Sequence, residues 1–481
     1  MHATTILIVI FSYFLVLVLI SFLTSKKNDN SSFFMANKQS PWYIVAFGMI
    51  GASLSGVTFI SVPGWVESSH FSYLQMALGY LLGYIIVANI LLPLYYRLNL
   101  ISIYTYLDQR FGKITYKTGA SFFILSRVIG ASFRLFLVAS VMQFTVFDYW
   151  NIPFFVTVII TILLIWIYTF RGGLNTIIWT DTLQTFFMLL AVIITVIYIA
   201  KEMNLDAYSL YQTIHKSEYS QIFYFDDWKS PQYFWKQLIS GMFITIVMTG
   251  LDQDMMQKNL TCKNIKEAQK NMYWFSFILL PVNLVFLGLG AMLYLYAYQN
   301  GVNIPERADL LYAEITTNSG LPVSLGIIFI IGLIASAYSS ADSALASLTT
   351  SYSIDIINIE EKYSPQEQIK KRKLIHIGFS IILAITIIIF NLIGNESVIK
   401  LLIQAASYTY GPLLGLYAFG LFTKYKIKDA LSLYILISAP ILTFGIKYLA
   451  IILNSSYQFG FELLIINGIL SFAGLYFIKE K

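Results

Sequence analysis

Residues 48–64 read GMIGASLSGVTFISVPG, an apolar stretch that carries glycines, hydroxyl side chains and a Pro-Gly end. Interior glycines and a proline weaken a helix, because glycine loses more backbone freedom and proline lacks an N–H donor. The stretch therefore predicts a broken helix whose freed carbonyls could bind a cation or a solute, if it lies inside a bilayer. A helix that is kinked for structural reasons alone is the alternative.

The composition of the whole chain places this stretch in a membrane. Of the 481 residues, 57% are hydrophobic and only 12% are charged, and the mean hydropathy is +0.70. The charged share is about half that of an ordinary globular protein. So little charge could not cover so apolar a core in water, and we therefore expect a lipid bilayer around the chain.

Runs of about 20 apolar residues are needed to cross a bilayer core of about 30 Å. Most of the 31 Lys and Arg residues fall in every second connection between such runs. This asymmetry predicts a multi-pass protein with its N-terminus outside and its C-terminus in the cytoplasm. The expected location is the plasma (inner) membrane. The sequence predicts thirteen spans: 4–23, 42–62, 71–96, 116–146, 152–170, 174–200, 234–256, 271–299, 321–356, 373–394, 398–422, 429–451 and 460–478.

Several classes of function are disfavoured by the sequence. The basic residues lie in short connections and do not form one patch, so no nucleic-acid partner is expected. A single cysteine, Cys262, excludes an intramolecular disulfide and a thiolate metal cage. No ATP-binding P-loop is present, so any transport must use another energy source. No obligatory protein partner is inferred.

A second polar stretch lies in the predicted span 321–356, where residues 332–351 read GLIASAYSSADSALASLTTS. At 100° per residue, its serines fall within an arc of about 100°, and Asp342 lies roughly 60° from Ser339. Hydroxyl and carboxylate oxygens on one face suit a small cation. Close helix packing through small residues is the alternative interpretation. The serines on this face are Ser336, Ser339, Ser340, Ser343 and Ser347.

Three further ionisable residues lie inside predicted spans, where charge is costly and usually functional. Asp181 could bind a cation, carry a proton or be a neutral acid held by a neighbouring helix. Arg127 and Arg134 are seven residues apart and so share one helix face. A buried guanidinium needs an anionic partner, which could be Asp181, Asp342 or the carboxylate of a transported solute.

These residues resemble the sodium/solute symporter family, and the pattern is nearest to its sialic acid and sugar carriers. The resemblance rests on the broken span 42–62, residues 172–174 with Trp179-Thr180-Asp181, the stretch DQDMMQK at 252–258 and the serine helix at 336–343, in that order. One difference is Lys258, where many members carry arginine. We expect little consequence from this change in a cytoplasmic loop.

The resemblance implies an all-α polytopic membrane protein of the LeuT type. It implies a single transporter domain over residues 1–481, with about 13 transmembrane helices. Spans 2–6 (residues 42–200) and spans 7–11 (residues 234–422) would form a five-plus-five inverted repeat. One helix would precede the repeat and two would follow it.

The resemblance also implies where sodium, the coupling ion, would bind. The main site would use the carbonyls of Gly51, Leu54 and Ser336 with the hydroxyls of Ser339 and Ser340. The sialic acid carriers have a second sodium site, whose positions match Asp181, Ser340, Asp342 and Ser343. The sialic acid carriers have serine where this chain has Asp342, so this residue could bind sodium, carry a proton or pair with an arginine.

The solute pocket implied by the resemblance lies at mid-membrane. An arginine on span 4 holds the solute carboxylate in the sialic acid carriers, and Arg127 is the preferred match, with Arg134 the other. The positions that match the rest of the pocket are Ser53, Ser55, Thr58, Tyr73 and Gln75.

The function predicted from the sequence is sodium-coupled symport of a small organic solute by alternating access. A carboxylate such as a sialic acid is favoured over a neutral sugar because two arginines share one span. Proton-coupled symport through Asp342 or Asp181 is the alternative. A solute sensor or an intramembrane enzyme is a remote alternative, and the chain is predicted not to be an enzyme.

Overall fold

The computed structural model describes residues 3–24, 30–393, 398–453 and 456–480, and this part of the chain is helical, without a β-sheet. The helices before residue 220 are α1 (Ala3–Thr24), α2 (Asn30–Met35), α3 (Trp42–Ser69), α4 (Tyr73–Ile86), α5 (Leu92–Arg97), α6 (Thr105–Arg110), α7 (Lys113–Met142), α8 (Phe154–Glu202) and α9 (Ala207–Lys216). Those that follow are α10 (Phe234–Thr245), α11 (Gln253–Asn259), α12 (Ile265–Asn300), α13 (Leu311–Asn318), α14 (Val323–Ser351), α15 (Ile359–Lys362), α16 (Pro365–Ile393), α17 (Val398–Thr409), α18 (Gly411–Phe422), α19 (Asp429–Ile452) and α20 (Leu463–Phe477).

Tighter and wider turns join several of these helices. Wide π-helical turns extend α4, α7, α10 and α14 at Val87–Leu91, Gln143–Phe147, Ile246–Gly250 and Tyr352–Ile356. Single 3₁₀ turns lie at Ala36–Lys38, His70–Ser72, Asp148–Trp150, Glu218–Ser220 and Ala308–Leu310.

Every predicted span overlaps helical structure. Within the described residues, eight helical segments are long and apolar enough to cross a membrane, or nine if α10 and α11 form one bent span. The segment Trp42–Arg97 counts once although it contains three helices. The chain is therefore a multi-pass membrane protein, and the number thirteen stays a prediction.

Two long helices are broken at single residues. The predicted break in residues 48–64 is confirmed, because Ser55 in α3 has φ 52° and ψ 174°. Helix α8 breaks at Gly173, with φ 53° and ψ −154°, between the two spans predicted at 152–170 and 174–200. A Cβ atom on Gly173 would lie 2.6 Å from the Cα of Phe33, so both the conformation and the space favour glycine there.

The centre of the molecule is formed by α14. It packs against α8, α3 and α7, and every residue from Gly332 to Ser351 is buried. At the periphery, α19 exposes apolar side chains such as Ile437, Ile441 and Leu442, as expected for a helix that faces lipid. Helix α3 packs on α8, α12 and α14, which brings its break to the centre of the protein.

Candidate functional site

The break in α3 lies against the serine-rich face of α14. Ser340 Oγ donates a hydrogen bond to the carbonyl oxygen of Ala52 over 3.4 Å, and Ala52 belongs to the turn that precedes Ser55. A helix break leaves carbonyls of the adjoining turn without helical partners. Oxygen atoms of two helices therefore converge at this point, as a cation site requires.

The residues predicted for the main sodium site are all buried in α3 and α14, two helices that pack against each other. Ser336 Oγ donates to the carbonyl of Leu333 within α14, so its hydroxyl is turned to its own helix. Ser339 and Ser340 instead direct their hydroxyls to groups of other helices, Asp181 of α8 and Ala52 of α3. The five predicted residues are Gly51, Leu54, Ser336, Ser339 and Ser340.

Helix α8 contributes Asp181 to the site that α3 and α14 form. Ser339 Oγ donates to Asp181 Oδ1 over 2.8 Å, and Lys258 Nζ donates to Asp181 Oδ2 over 2.7 Å. The side chains of Lys258 and Asp181 are 2% and 1% exposed, respectively. Both carboxylate oxygens are thus occupied, one by a hydroxyl and one by an ammonium group.

The expectation that Lys258 lies in a cytoplasmic loop is wrong. Lys258 lies in α11, where every residue from Gln253 to Asn259 is buried. The reason is a bend of 69° between α10 and α11, which turns the chain inward. Asp252 caps the start of α11 by accepting hydrogen bonds from the N–H groups of Asp254 and Met255, which stabilises this turn.

Asp342 and Ser343, also predicted to bind a second cation, are fully buried in α14. The N–H of Ser343 donates to Asp342 Oδ1 over 2.6 Å. Ser343 lies one turn beyond Ser339 on the same side of α14, and its Oγ makes no hydrogen bond with the described part of the chain. The structure thus brings Ser339 and Asp181 together, with Ser343 on the same side of α14 as Ser339.

Arg127 does not pair with Asp181 or Asp342, the two carboxylates that the sequence suggested. Its guanidinium forms ion pairs with Asp254 and, over 3.6 Å, with Asp252. The hydroxyl of Tyr410, the residue between α17 and α18, also donates to Asp252. The 252–258 stretch was identified only through the family resemblance, and nothing in the sequence relates it to span 4.

Arg134 is buried two helical turns further along α7. Its Nε and Nη1 atoms make no hydrogen bond with the part of the chain that the structure describes. A buried guanidinium without such partners retains donors for an anionic ligand. Arg134 thus differs from Arg127, whose charge faces two carboxylates.

Both arginines line a cavity of 100 Å³ between α3, α4, α7, α10 and α12. Four of the residues predicted for the solute pocket line it as well: Ser53, Ser55, Thr58 and Tyr73. The sequence reasoning missed other polar lining residues, because it weighed only ionisable groups and family motifs. These are Tyr80, Tyr84, Thr245, Thr249 and Asn283.

Gln75, the fifth residue predicted for the pocket, does not line this cavity. Its Nε2 atom donates to the carbonyl of Gln232 over 2.9 Å, and its Oε1 atom accepts from the N–H of Tyr224 over 3.1 Å. Both ends of the amide therefore hold the connection between α9 and α10. Gln75 therefore stabilises that connection through hydrogen bonds to backbone groups.

Comparison with known proteins adds evidence of another kind. Residues 33–433 match the model of the sodium:solute symporter family. The chain is 24% identical over 434 residues to the sodium/sialic acid symporter SiaT of Proteus mirabilis (strain HI4320), an alignment that covers 86% of this chain and 84% of SiaT. It is 24% identical over 473 residues to the sodium/glucose cotransporter of Vibrio parahaemolyticus, covering 93% and 85%.

The fold has a close counterpart among solved structures. A Na⁺-coupled sialic acid symporter in a substrate-bound, outward-open state superposes with a TM-score of 0.83 at 21% sequence identity. The superposition covers 98% of this chain and 97% of that symporter. At this identity the likeness establishes a shared fold.

Proposed function

This chain belongs to the sodium:solute symporter family, and we propose that it carries a small organic solute by sodium-coupled symport with alternating access. Members of the family are transporters and not enzymes, and sodium is the coupling ion. The observation that most supports the proposal is the break of α3 at Ser55, which lies against the hydroxyls of α14 and beside a polar cavity.

The proposed sodium ligands are the carbonyls of Gly51, Leu54 and Ser336 with the hydroxyls of Ser339 and Ser340. Two observations support this set. The break at Ser55 interrupts the helical hydrogen bonds of the turn before it, and the Ser340 hydroxyl reaches a carbonyl of that turn at Ala52. Neutral oxygens suit an ion that must bind from one side and leave on the other.

The proposed solute is a carboxylate, with a sialic acid favoured over a neutral sugar. Arg134 supports this choice, because it lines the cavity with two nitrogen atoms free of described partners. Arg127 is less suited to this role than the sequence suggested, since Asp252 and Asp254 compensate its charge. A guanidinium that makes no ion pair within the described part of the chain matches one carboxylate.

We also propose that residues 42–200 and 234–422 form two inverted repeats, with the N-terminus outside and the C-terminus in the cytoplasm. The breaks in the helices support the repeats. The first helix of each half is interrupted, α3 at Ser55 and α10–α11 by a bend of 69°. Interrupted helices at corresponding positions of two halves are typical of repeat transporters with a mid-membrane site.

Coupling follows from where the two ligands bind. Sodium would link α3 to α14, and the solute would contact α3 on the other side of the same break. A ligand that fixes α3 favours the conformation that the second ligand needs. By linkage, each ligand must then raise the affinity for the other by the same factor.

The test is a titration of the purified, detergent-solubilised protein with NaCl at constant ionic strength, set with choline chloride, with the unfolding temperature as readout. A ligand that binds only the folded state stabilises it by about 2.7 kcal/mol at one hundred times Kd. We expect a saturable, sodium-specific rise. In Ser340→Ala the Kd for sodium should increase about ten- to a hundredfold, the effect of losing one polar contact to a charge.

Ser347→Ala is the matched control, because Ser347 is buried on the same helix and its hydroxyl bonds within α14. It should titrate like the wild type. With sodium saturating, N-acetylneuraminate should raise the unfolding temperature further and glucose should not. A response to acidification without a response to sodium would refute sodium coupling in favour of protons.

A further inference from the structure

Two threonines of α8 make hydrogen bonds with the backbone of α3 before its break. The Thr185 hydroxyl accepts from the N–H of Gly51 over 3.1 Å, and the Thr182 hydroxyl donates to the carbonyl of Ile44 over 3.3 Å. Gly51 lies in the turn that leads into the break at Ser55, whereas Ile44 lies two turns earlier. The two contacts are alike in kind, but only the contact at Gly51 involves a proposed sodium ligand.

We propose that Thr185 is a positioning residue for sodium, which orients the turn that carries the Gly51 and Leu54 carbonyls without touching the ion itself. The inference rests on the proposed function and adds α8 to the helices that define the sodium site. In a helix, N–H groups point towards its start and carbonyl groups towards its end. The Gly51 carbonyl therefore faces the break, while Thr185 holds the N–H of the same residue.

The last turn before the break needs such support from outside the helix. The non-helical conformation of Ser55 interrupts the hydrogen bonds that a continuous helix would supply to this turn. Two neighbouring helices hold the turn instead, Thr185 of α8 at the N–H of Gly51 and Ser340 of α14 at the carbonyl of Ala52. The carbonyls that would bind sodium are thus oriented before the ion arrives.

The hydrogen bonds of Thr185 determine which of its groups faces α3. Its single proton goes to the carbonyl of Asp181, one turn back on α8, over 2.8 Å, as is common for threonine inside a helix. The carbonyl of Gly48 is the more distant acceptor, at 3.5 Å. The oxygen lone pairs of Thr185 are therefore directed to the N–H of Gly51, a role that valine or alanine could not fill.

The same turn of α8 also contacts a proposed ligand on α14. Ser339 Oγ donates to Asp181 Oδ1 over 2.8 Å, and Thr185 lies four residues after Asp181. One turn of α8 thus bonds to Ser339 on α14 and to Gly51 on α3, the two helices that sodium would join. The position of α8 therefore sets the separation of these two ligands.

The experiment measures the sodium Kd by equilibrium binding of ²²Na⁺ to purified, detergent-solubilised protein, together with the unfolding temperature in choline chloride. Thr185→Val keeps the shape of the side chain and removes the acceptor, so the sodium Kd should increase about fivefold, the effect of one neutral hydrogen bond. Thr185→Ser restores the acceptor and should return the Kd to the wild-type value. A purely structural role of Thr185 would lower the unfolding temperature and leave the Kd unchanged.

Thr182→Val is the matched control, because it removes a threonine hydroxyl of α8 that bonds to α3 away from the break. Whatever its effect on the unfolding temperature, it should leave the sodium Kd unchanged. If Thr185→Val does not fold, Thr185→Ala takes its place with the same expected rise in Kd, since it removes the acceptor without placing a methyl group against Gly51.

An unchanged sodium Kd in the folded variant without the Thr185 hydroxyl would overturn the inference. An equal rise in Thr182→Val, or failure of Thr185→Ser to restore the Kd, would overturn it as well. Absence of saturable sodium binding to the wild type would overturn the proposed function itself, and the inference with it.

Discussion

Two arginines on one face of α7 differ in the charges that surround them. Arg127 lies against the carboxylates of Asp252 and Asp254, and a buried pair of this kind is costly to break from one side. Arg134 borders the same cavity, but its Nε and Nη1 atoms make no hydrogen bond within the described chain. The two residues should therefore respond differently to the same substitution.

Arg134→Gln should abolish binding of a carboxylate solute and leave sodium binding almost unchanged. A charge-assisted hydrogen bond to a buried group contributes about 1.5–3 kcal/mol, and loss of two such bonds corresponds to at least a hundredfold in Kd. The measurement is calorimetric titration of N-acetylneuraminate in saturating sodium. Arg134→Lys should retain part of the affinity, because lysine keeps the charge and loses the bidentate geometry.

Arg127→Gln serves as the comparison and should act mainly on stability. It leaves Asp252 and Asp254 buried without their cation, which lowers the unfolding temperature whether or not solute is present. If Arg127→Gln removed solute binding from a folded protein while Arg134→Gln did not, the assignment would have to be exchanged.

For individual residues, the sequence indicates which side chains are functional candidates more reliably than which residues they contact. The serines of α14 and the carboxylate of Asp181 could be singled out because polar groups inside apolar spans are rare. Their partners could not be named, since the bend between α10 and α11 brings Lys258 to Asp181 across 77 positions of sequence. The hydrogen bonds of Gln75 to the connection between α9 and α10 could not be predicted either, since backbone partners leave no periodic signal.

Among the helices, α3 has the strictest packing requirement. Its first half packs on α8 so closely that a Cβ atom on Gly51 would lie 2.2 Å from Thr185 Oγ1 and 3.2 Å from Thr185 Cβ. The break at Ser55 fixes where the carbonyls point, and the contact at Gly51 fixes how far α3 stands from α8. The sequence predicted the break, but the close approach of α8 depends on tertiary packing.

Gly51→Ala should destabilise the protein by about 1–3 kcal/mol through overpacking and weaken sodium binding at least tenfold. The sodium effect follows because α3 must move away from α8 to admit the methyl group, which displaces the carbonyls of Gly51 and Leu54. Unfolding temperature and sodium Kd can be read in one titration. Gly378→Ala in α16 is the control, since a Cβ atom there meets nothing within 4 Å. Equal sodium affinity in both variants would argue against a site at this contact.

For the whole molecule, alternating access requires the cytoplasmic side to open and close, and the single cysteine lies on that side in the proposed orientation. Cys262 follows α11 and is buried, with its backbone next to Ser40 and its carbonyl accepting from the Tyr96 hydroxyl. Burial raises the pKa of its thiol to about 12. A movement that exposes this junction would change both the access to the thiol and its ionisation.

Maleimide should therefore label Cys262 slowly in sodium, and faster when choline replaces sodium and the inward-open state is more populated. The thiolate is the reacting species, so with a pKa of about 12 the rate in sodium should rise about tenfold per pH unit from pH 7 to 10. An exposed thiol would instead level off near its ordinary pKa of about 8.5. The control is full labelling of one thiol per chain after denaturation. A labelling rate that reaches a plateau near pH 9 in saturating sodium would mean that this junction is already open. Sodium would then not hold the cytoplasmic side closed, and coupling would have to act through another part of the molecule.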